Sequence, residues 1–511
     1  MGDFEANESQ ADISSLLEVN RLDFRLPPSL SIATSRSMKV YRSQQSSYIA
    51  GGQQLQFTLS SGSTYVDFMN SFLKFTVKLP DVIGAAVKPK MPPHCGWANM
   101  IQQIRIVHSS GVELDRINTG VGEWLQIMNY YDRSADTRKV VGGLYDLNDT
   151  SRPSPLVNSN SALARAKEGL NVPYDAAAYH GDSMLTGAGQ VMDISFRPEG
   201  KEFPVCIPLS QLLGFFNVDL LAPSFLSAGL QIHIDMYSPE HFFVCGTDNR
   251  GNYTGANGWP SADGDVKIVN PEMHLETFTL TDSIVRKLSQ ISASSGLEWY
   301  FDAVHTMSGG GSEGDYSMQI SRALSRANNV IVKTRTKSYI GDTFRDSFGS
   351  QPWVLPVNEG GGTSTNDLST GDATINGAMN NFQVQLGAQY IPSKSLSQKK
   401  EFIHSALKTF SQFRRSDEIG GPDDTQFSGF RTTRNTVKET PNKYMHGLAI
   451  SAVPLESSST LQQSGAAISA QRTAVVNMGW VGGGGTARQV DCFVVYSKLA
   501  TLFLDSVVVR S

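Results

Sequence analysis

Cysteine is scarce in this chain. There are four in 511 residues, Cys95, Cys206, Cys245 and Cys492, with no CxxC pair among them. A disulfide framework is thereby excluded as the main brace of so long a chain, and free thiols in a reducing compartment are expected. Excess charge is scarce too: 43 Lys and Arg against 48 Asp and Glu leave a net of -5. Such a balance gives no bulk field for gripping a nucleic-acid backbone, so no specific nucleic-acid binding is expected. No apolar run reaches membrane-spanning length, and even the stretch 203–236 is interrupted by Ser210, Gln211, Asn217 and Asp219. The opening MGDFEANESQ lacks the basic and apolar regions of a signal peptide, and Ala6 stands where myristoylation needs Ser or Thr. A protein made soluble inside the cell is the expectation, and sequons at Asn7, Asn148 and Asn252 then carry no weight.

What is present points to strands. Hydrophobic content of 40% with 18% charged residues describes a globular protein, and 46 Gly with 22 Pro supply the many turns of an all-β architecture. At this length two large domains are the natural division. The stretch Phe203–Tyr237 shows the pattern best. Leu230, Ile232, Ile234 and Met236 alternate with Gln231, His233 and Asp235, so one face of a strand is apolar and the other polar. Phe203–Ser210 is a second short strand, and the Leu- and Phe-rich segment between them, broken by Gly214, Pro223 and Gly229, reads as a buried corner joining two strands of a sandwich.

Taken in order, residues 1–37 read as an arm. Six acids face Arg21 and Arg25, Pro27-Pro28 stops any helix, and Ile13, Leu16, Leu17 and Leu22 are too few to form a core but enough to dock on a partner. Strands are expected from about Met38: Leu55–Leu59, then Leu73, Phe75, Val77 and Leu79 in alternation, then a hairpin of Ile101–His108 and Val112–Ile117 around Ser109-Ser110-Gly111. Trp124, Ile127, Met128 and Tyr131 form a helical apolar stripe over 122–132. The Gly-rich segment 246–265 reads as the linker between a first domain, 38–245, and a second, 266–511. In the second, Val266–Leu280, Leu297–Met307, Asn328–Thr336 and Phe382–Leu386 are strand-like, and Ile403, Ala406, Leu407 and Phe410 mark a helix over 395–413. Strand, polar stretch, aromatic helix and long loop thus occur near 101–190 and again near 382–443, as in a duplicated domain. The closing strands Asp491–Tyr496 and Leu502–Val509 are expected to repeat Phe203–Ser210 and Leu230–Met236.

Catalytic and cofactor motifs fail in their second halves. Gly309–Gly314 fits GxGxxG after a strand-like run and before a possible helix at 319–327, but no acidic residue follows where a ribose would need one. Glu401-x-x-His404 is half of a di-iron motif without its other half. Ser405-x-x-Lys408 lacks the partner SDN and KTG motifs, His94-Cys95 lacks a second ligand pair, and Gly482–Gly485 lacks the following Lys of a P-loop. No enzyme activity, metal or cofactor is expected.

The blocks STYVDFMNSFLKFTVKLP (63–80), IPLSQLLGFFNVDLLAPSFLSAGLQIHIDM (207–236), YIPSKSLSQKKEFIHSALKTF (390–410), SGAAISAQRTAVVNM (464–478) and FLDSVVV (503–509) resemble double jelly-roll major capsid proteins. The likeness is to those of virophages, polinton-like viruses and adintoviruses, with adenovirus hexon a larger relative, and it covers most of 38–511. It implies two tandem eight-stranded jelly-roll sandwiches with short helices in loops, and homotrimers forming pseudo-hexagonal capsomers of an icosahedral shell. It also implies a virion location after synthesis in the host cytoplasm, penton and minor capsid partners, and in some members an inner membrane. A tandem β-sandwich glycan-binding module or viral fibre is the other class the pattern allows, with Trp259, Trp353 and Trp480 as stacking platforms.

Overall fold

The structure is a computed structural model. It describes principally residues 33–80, 97–131, 202–245, 265–337, 379–397, 446–450, 466–480 and 487–510, with short gaps, plus isolated residues between them.

Among the described residues, sixteen of the strands form two sandwiches of the same design. In the first, β1 (Ala33–Arg42), β2 (Leu55–Thr58), β3 (Tyr65–Lys78), β4 (Ile101–Val107), β5 (Glu113–Ile117), β6 (Glu202–Pro208), β7 (Gln231–Met236) and β8 (Lys267–Leu280) make sheets ordered β1-β8-β3-β6 and β2-β7-β4-β5. In the second, β9 (Leu297–Gly311), β10 (Gly314–Gln319), β11 (Leu324–Thr336), β12 (Met379–Leu386), β13 (Gln389–Leu396), β14 (His446–Ala449), β15 (Ala474–Trp480) and β16 (Arg488–Leu502) repeat the order as β9-β16-β11-β14 and β10-β15-β12-β13. Antiparallel strands whose first and last members pair with each other, in two facing sheets, are the jelly-roll arrangement. The fold is all-β, a double jelly roll.

Period-two alternation places the core. Leu73, Phe75 and Val77 on β3 are fully buried, and so are Ile232 and Ile234 on β7 in the opposite sheet. The corner between β6 and β7 carries the chain from one sheet to the other. Its Phe215 and Phe216 are fully buried, and both rings lie within 5.9 Å of Phe68. The hairpin β4–β5 turns as expected, with Gly111 at φ +82, a conformation that favours glycine.

Four expectations are corrected. The first strand begins at Ala33, not Met38, because the polar segment before it pairs in register with β8 as an edge strand. The strand 267–280, expected in the second domain, inserts between β1 and β3 of the first sandwich. Alternation shows which face of a strand is buried but not which neighbour it joins. Arg488–Leu502 is one continuous central strand, so Asp491–Tyr496 is the counterpart of β8; the counterparts of β6 and β7 are β14 and β15. Residues 395–396 end strand β13 and 319–327 contribute to β10 and β11, so neither stretch is helical. Beyond them Glu401, His404, Ser405 and Thr409 are helical, while Ile403, Ala406, Leu407 and Phe410 lie outside the described residues, as do 246–264.

Two longer helices complete the frame. α1 (Val121–Tyr131) follows β5, and α2 (Asp282–Ser294) connects β8 to β9.

Candidate functional site

The chain's chemistry-bearing side chains converge where the two sandwiches meet. The first contributes α1, β5 and the corner at 214–216; the second contributes the sheet β9-β16-β11. The helix α1 carries the expected apolar positions, with Trp124 and Ile127 buried and Trp124 5.8 Å from Phe493 of β16. Its polar side is buried as well. Glu123 is fully buried and accepts a 2.8 Å hydrogen bond at Oε1 from Arg335 Nη1 of β11, while Oε2 accepts 2.7 Å from the Tyr237 hydroxyl. Arg335 Nε donates over 2.7 Å to Asp491 Oδ2 of β16, whose Oδ1 accepts from Ser308 at 2.8 Å. Gln126, one turn along α1, accepts from buried Lys333. His241 lies 3.8 Å from Glu123, stacked on Tyr237 at 4.1 Å, and Phe348 stands edge-on to both rings.

These charges balance because each is placed against its opposite. Burial alone would push the Glu123 carboxyl up, but Arg335, helped by His241 and Lys333, holds it well below the usual carboxylate range. Burial pulls Arg335 down, and Asp491 with Glu123 more than reverses that. Burial, then the Glu123 charge, pushes the Tyr237 hydroxyl well up, so it stays a donor.

A second contact lies beside β5. Trp299 Nε1 of β9 donates to Phe215 O over 3.2 Å, and Gly214 sits so close that a Cβ there would be 1.7 Å from Asp302 O. Lys498 of β16, 4% exposed, donates to Leu114 O. Next to it Asp115 accepts at Oδ1 from the Arg116 amide at 2.9 Å, while its Oδ2 is buried without a hydrogen-bond partner. Burial pushes the Asp115 carboxyl up to about 6, Lys498 offsetting only part.

This arrangement can hold two domains as one body, and among the described residues no reactive geometry accompanies it. Among the described residues no cluster of His, Cys, Asp and Glu could hold a metal ion. The Glu401 carboxylate accepts from the Ser397 amide at 2.9 Å, and His404 is exposed. Gly309–Gly311 ends β9 and Gly314 opens β10, so the glycine run is a corner between two sheets. Cys206 is exposed and Cys492 buried, both free; Cys95 lies outside the described residues, as do Trp259 and Trp353. So do the arm residues Ile13, Leu16, Leu17 and Leu22. Sequence reasoning missed the ionic joint altogether. The one available signal was the repeated acidic and amide positions, Glu123 and Gln126, at helical spacing on a helix otherwise apolar.

No family model and no curated protein sequence matches the chain. Solved structures do. The Faustovirus major capsid protein is 11% identical with a TM-score of 0.54, covering 95% of this chain and 94% of that one. A chain of the Sputnik virophage structure is 10% identical, TM-score 0.52, covering 96% and 92%. The mavirus major capsid protein is 9% identical, TM-score 0.50, again covering 96% and 92%. At such identities the likeness is one of fold, and it agrees with the strand order in each sandwich.

Proposed function

We propose that this chain is a major capsid protein with a structural, non-enzymatic role, which trimerises into pseudo-hexagonal capsomers of an icosahedral viral shell. The fold shared with viral capsid proteins supports the general role. The observation that carries the finer reading is the joint: two like-built sandwiches joined through buried ion pairs behave as one tile, not as two domains on a tether. Interfaces between domains of one chain are ordinarily small and allow relative motion. A buried network of Glu123, Arg335 and Asp491, with Trp124 packed on Phe493 beside it, opposes that motion, because the Arg335–Glu123 bond and the apolar contact are lost together when the domains part. Three such two-unit bodies around an axis present six similar sandwiches, a shape close to a hexagon that can tile a surface.

In this reading the protein resides in the virion, penton and minor capsid proteins complete the shell, and an inner membrane is compatible with it. The division of the chain then follows sheet membership, with α2 as the joint between a first unit ending at β8 and a second beginning at β9. The arm binds neighbours through Ile13, Leu16, Leu17 and Leu22. Analytical sedimentation with negative-stain imaging tests the proposal: trimers of hexagonal outline are expected. Monomers at high concentration would refute it. A chain lacking residues 1–30 should still form trimers but build fewer complete shells; equal shell yield would remove the arm from the scheme.

A further inference from the structure

Sheet β9-β16-β11 carries a second polar row that the ionic joint does not use. Register sets Asp302 of β9 beside Ser497 of β16. A bulge between Ala327 and Asn329 of β11 brings Asn328 onto the same row. An ionised carboxylate only accepts, so the Ser497 hydroxyl donates to Asp302 Oδ1 over 3.0 Å and accepts from Asn328 Nδ2 over 2.9 Å. That chain leaves Asn328 Oδ1 buried without a partner. Asn329 Oδ1, next along the bulge, and the Tyr300 hydroxyl, two residues before Asp302 on β9, are buried without partners as well. Asn328 and Asn329 are only 2% and 1% exposed.

The row is rich in acceptors and poor in positive charge. Glu123 and Asp491, on the same side of the sheet, share Arg335. No such partner reaches Asp302 among the described residues, and the Ser497 hydroxyl alone favours its charge against burial. Asp302 lies deep in the molecule, its carbonyl against Gly214 of the first unit, yet part of its surface stays open. It therefore lines a narrow recess. A carboxylate and two amide oxygens left unanswered in such a place are costly.

We infer that the recess beside Asp302 binds an alkali-metal cation, sodium or potassium, through the Asp302 carboxylate and the Asn328 and Asn329 amide oxygens. Hard cations take oxygen ligands, and the count of charged ligands tunes the affinity for calcium. One carboxylate matches one positive charge, and a divalent ion would leave a buried excess. The missing cluster of His, Cys, Asp and Glu speaks against a thiolate or imidazole site, not against ligands that are chiefly neutral oxygens. So placed, the ion ties β9 to β11 across β16, at the level where Gly214 bears on Asp302. The inference stands apart from the capsomer reading.

The test uses the full chain in tetramethylammonium chloride, with sodium or potassium chloride substituted at constant ionic strength while melting is followed. A saturable rise in melting temperature is expected for wild type, because a ligand of the folded state alone stabilises it. Asp302→Asn keeps an acceptor for Ser497 but loses the charge, and should show no rise. Asn328→Ala should keep the rise and need about fivefold more cation to reach half of it. A wild-type chain indifferent to the exchange would overturn the site and leave Asp302 a neutral acid. An equal rise in Asp302→Asn would overturn it too. Calcium chloride acting where sodium and potassium do nothing would overturn the monovalent assignment. Should Asp302→Asn misfold, sodium NMR on the other two chains decides. Line broadening by wild type that potassium competes away and Asn328→Ala weakens supports the site, and its absence refutes it.

Discussion

Glu123 and Asp115 are both buried carboxylates at the joint, and burial leads them to opposite behaviour. Glu123 has a guanidinium, a hydroxyl and an imidazole around it, so its charge is stabilised. Asp115 faces Lys498 across the boundary, with Arg322, Arg116, Glu113 and Tyr496 nearby, but one oxygen has no partner and the charge is poorly supported. With its folded pKa raised to about 6, Asp115 binds a proton more readily in the folded state than in the unfolded. Its contribution is therefore most favourable below about pH 4, the unfolded value, and is lost as pH rises through 6. Glu123, with a lowered pKa, contributes above the unfolded value near 4.5 and loses that contribution as pH falls further. Melting temperature is thus expected to rise as pH drops from 7 to 5, with Asp115 supplying about 1 kcal/mol over that window. An Asp115→Asn chain should lack that rise. A variant that keeps the full rise would show that another group takes up the proton.

At the scale of elements, two glycines separate local from interdomain constraint. Gly111 holds a positive φ at a hairpin tip with open space around it, so Ala there costs about 1 kcal/mol of backbone strain and little else. Gly214 has no such φ, but its Cα side faces the Asp302 carbonyl, and backbone cannot swing aside as a side chain can. Gly214→Ala should lift the 214–216 corner off β9, breaking the Trp299–Phe215 bond and disturbing Phe301, which meets Phe215 edge-on at 5.4 Å. Hydrogen exchange along β9 should rise in Gly214→Ala and stay unchanged in Gly111→Ala; equal exchange in both would mean the corner does not brace the second unit. The same contrast explains what could be read from the amino acids. Alternation marked β3, β7 and the β4–β5 hairpin because a strand's own side chains declare its buried face. The unit to which β8 belongs was hidden, since Val266–Leu280 alternates equally well for either neighbour. The buried polar side of α1 was hidden too, because what covers Glu123 and Gln126 arrives some two hundred residues later, on β11.

For the whole molecule, strand insertion and the ionic joint together resist separation. Limited digestion is expected to cut within 246–262, where Gly is dense, and to give two fragments near half size on a denaturing gel. They should nonetheless elute together without denaturant, because β8 would remain in the first sheet while attached to the second fragment. Fragments that part in native buffer would contradict the pairing of β8 with β1 and β3. The insertion of β8 also bears on how the chain is made. A ribosome delivers residues from the N-terminus, and domains generally fold in that order as they emerge. Here β1 and β3 have left the exit tunnel long before their shared neighbour exists. Until residue 280 has been translated, the nascent first sandwich carries an open slot one strand wide, and whatever shields that slot during synthesis protects the chain from pairing with the wrong strand.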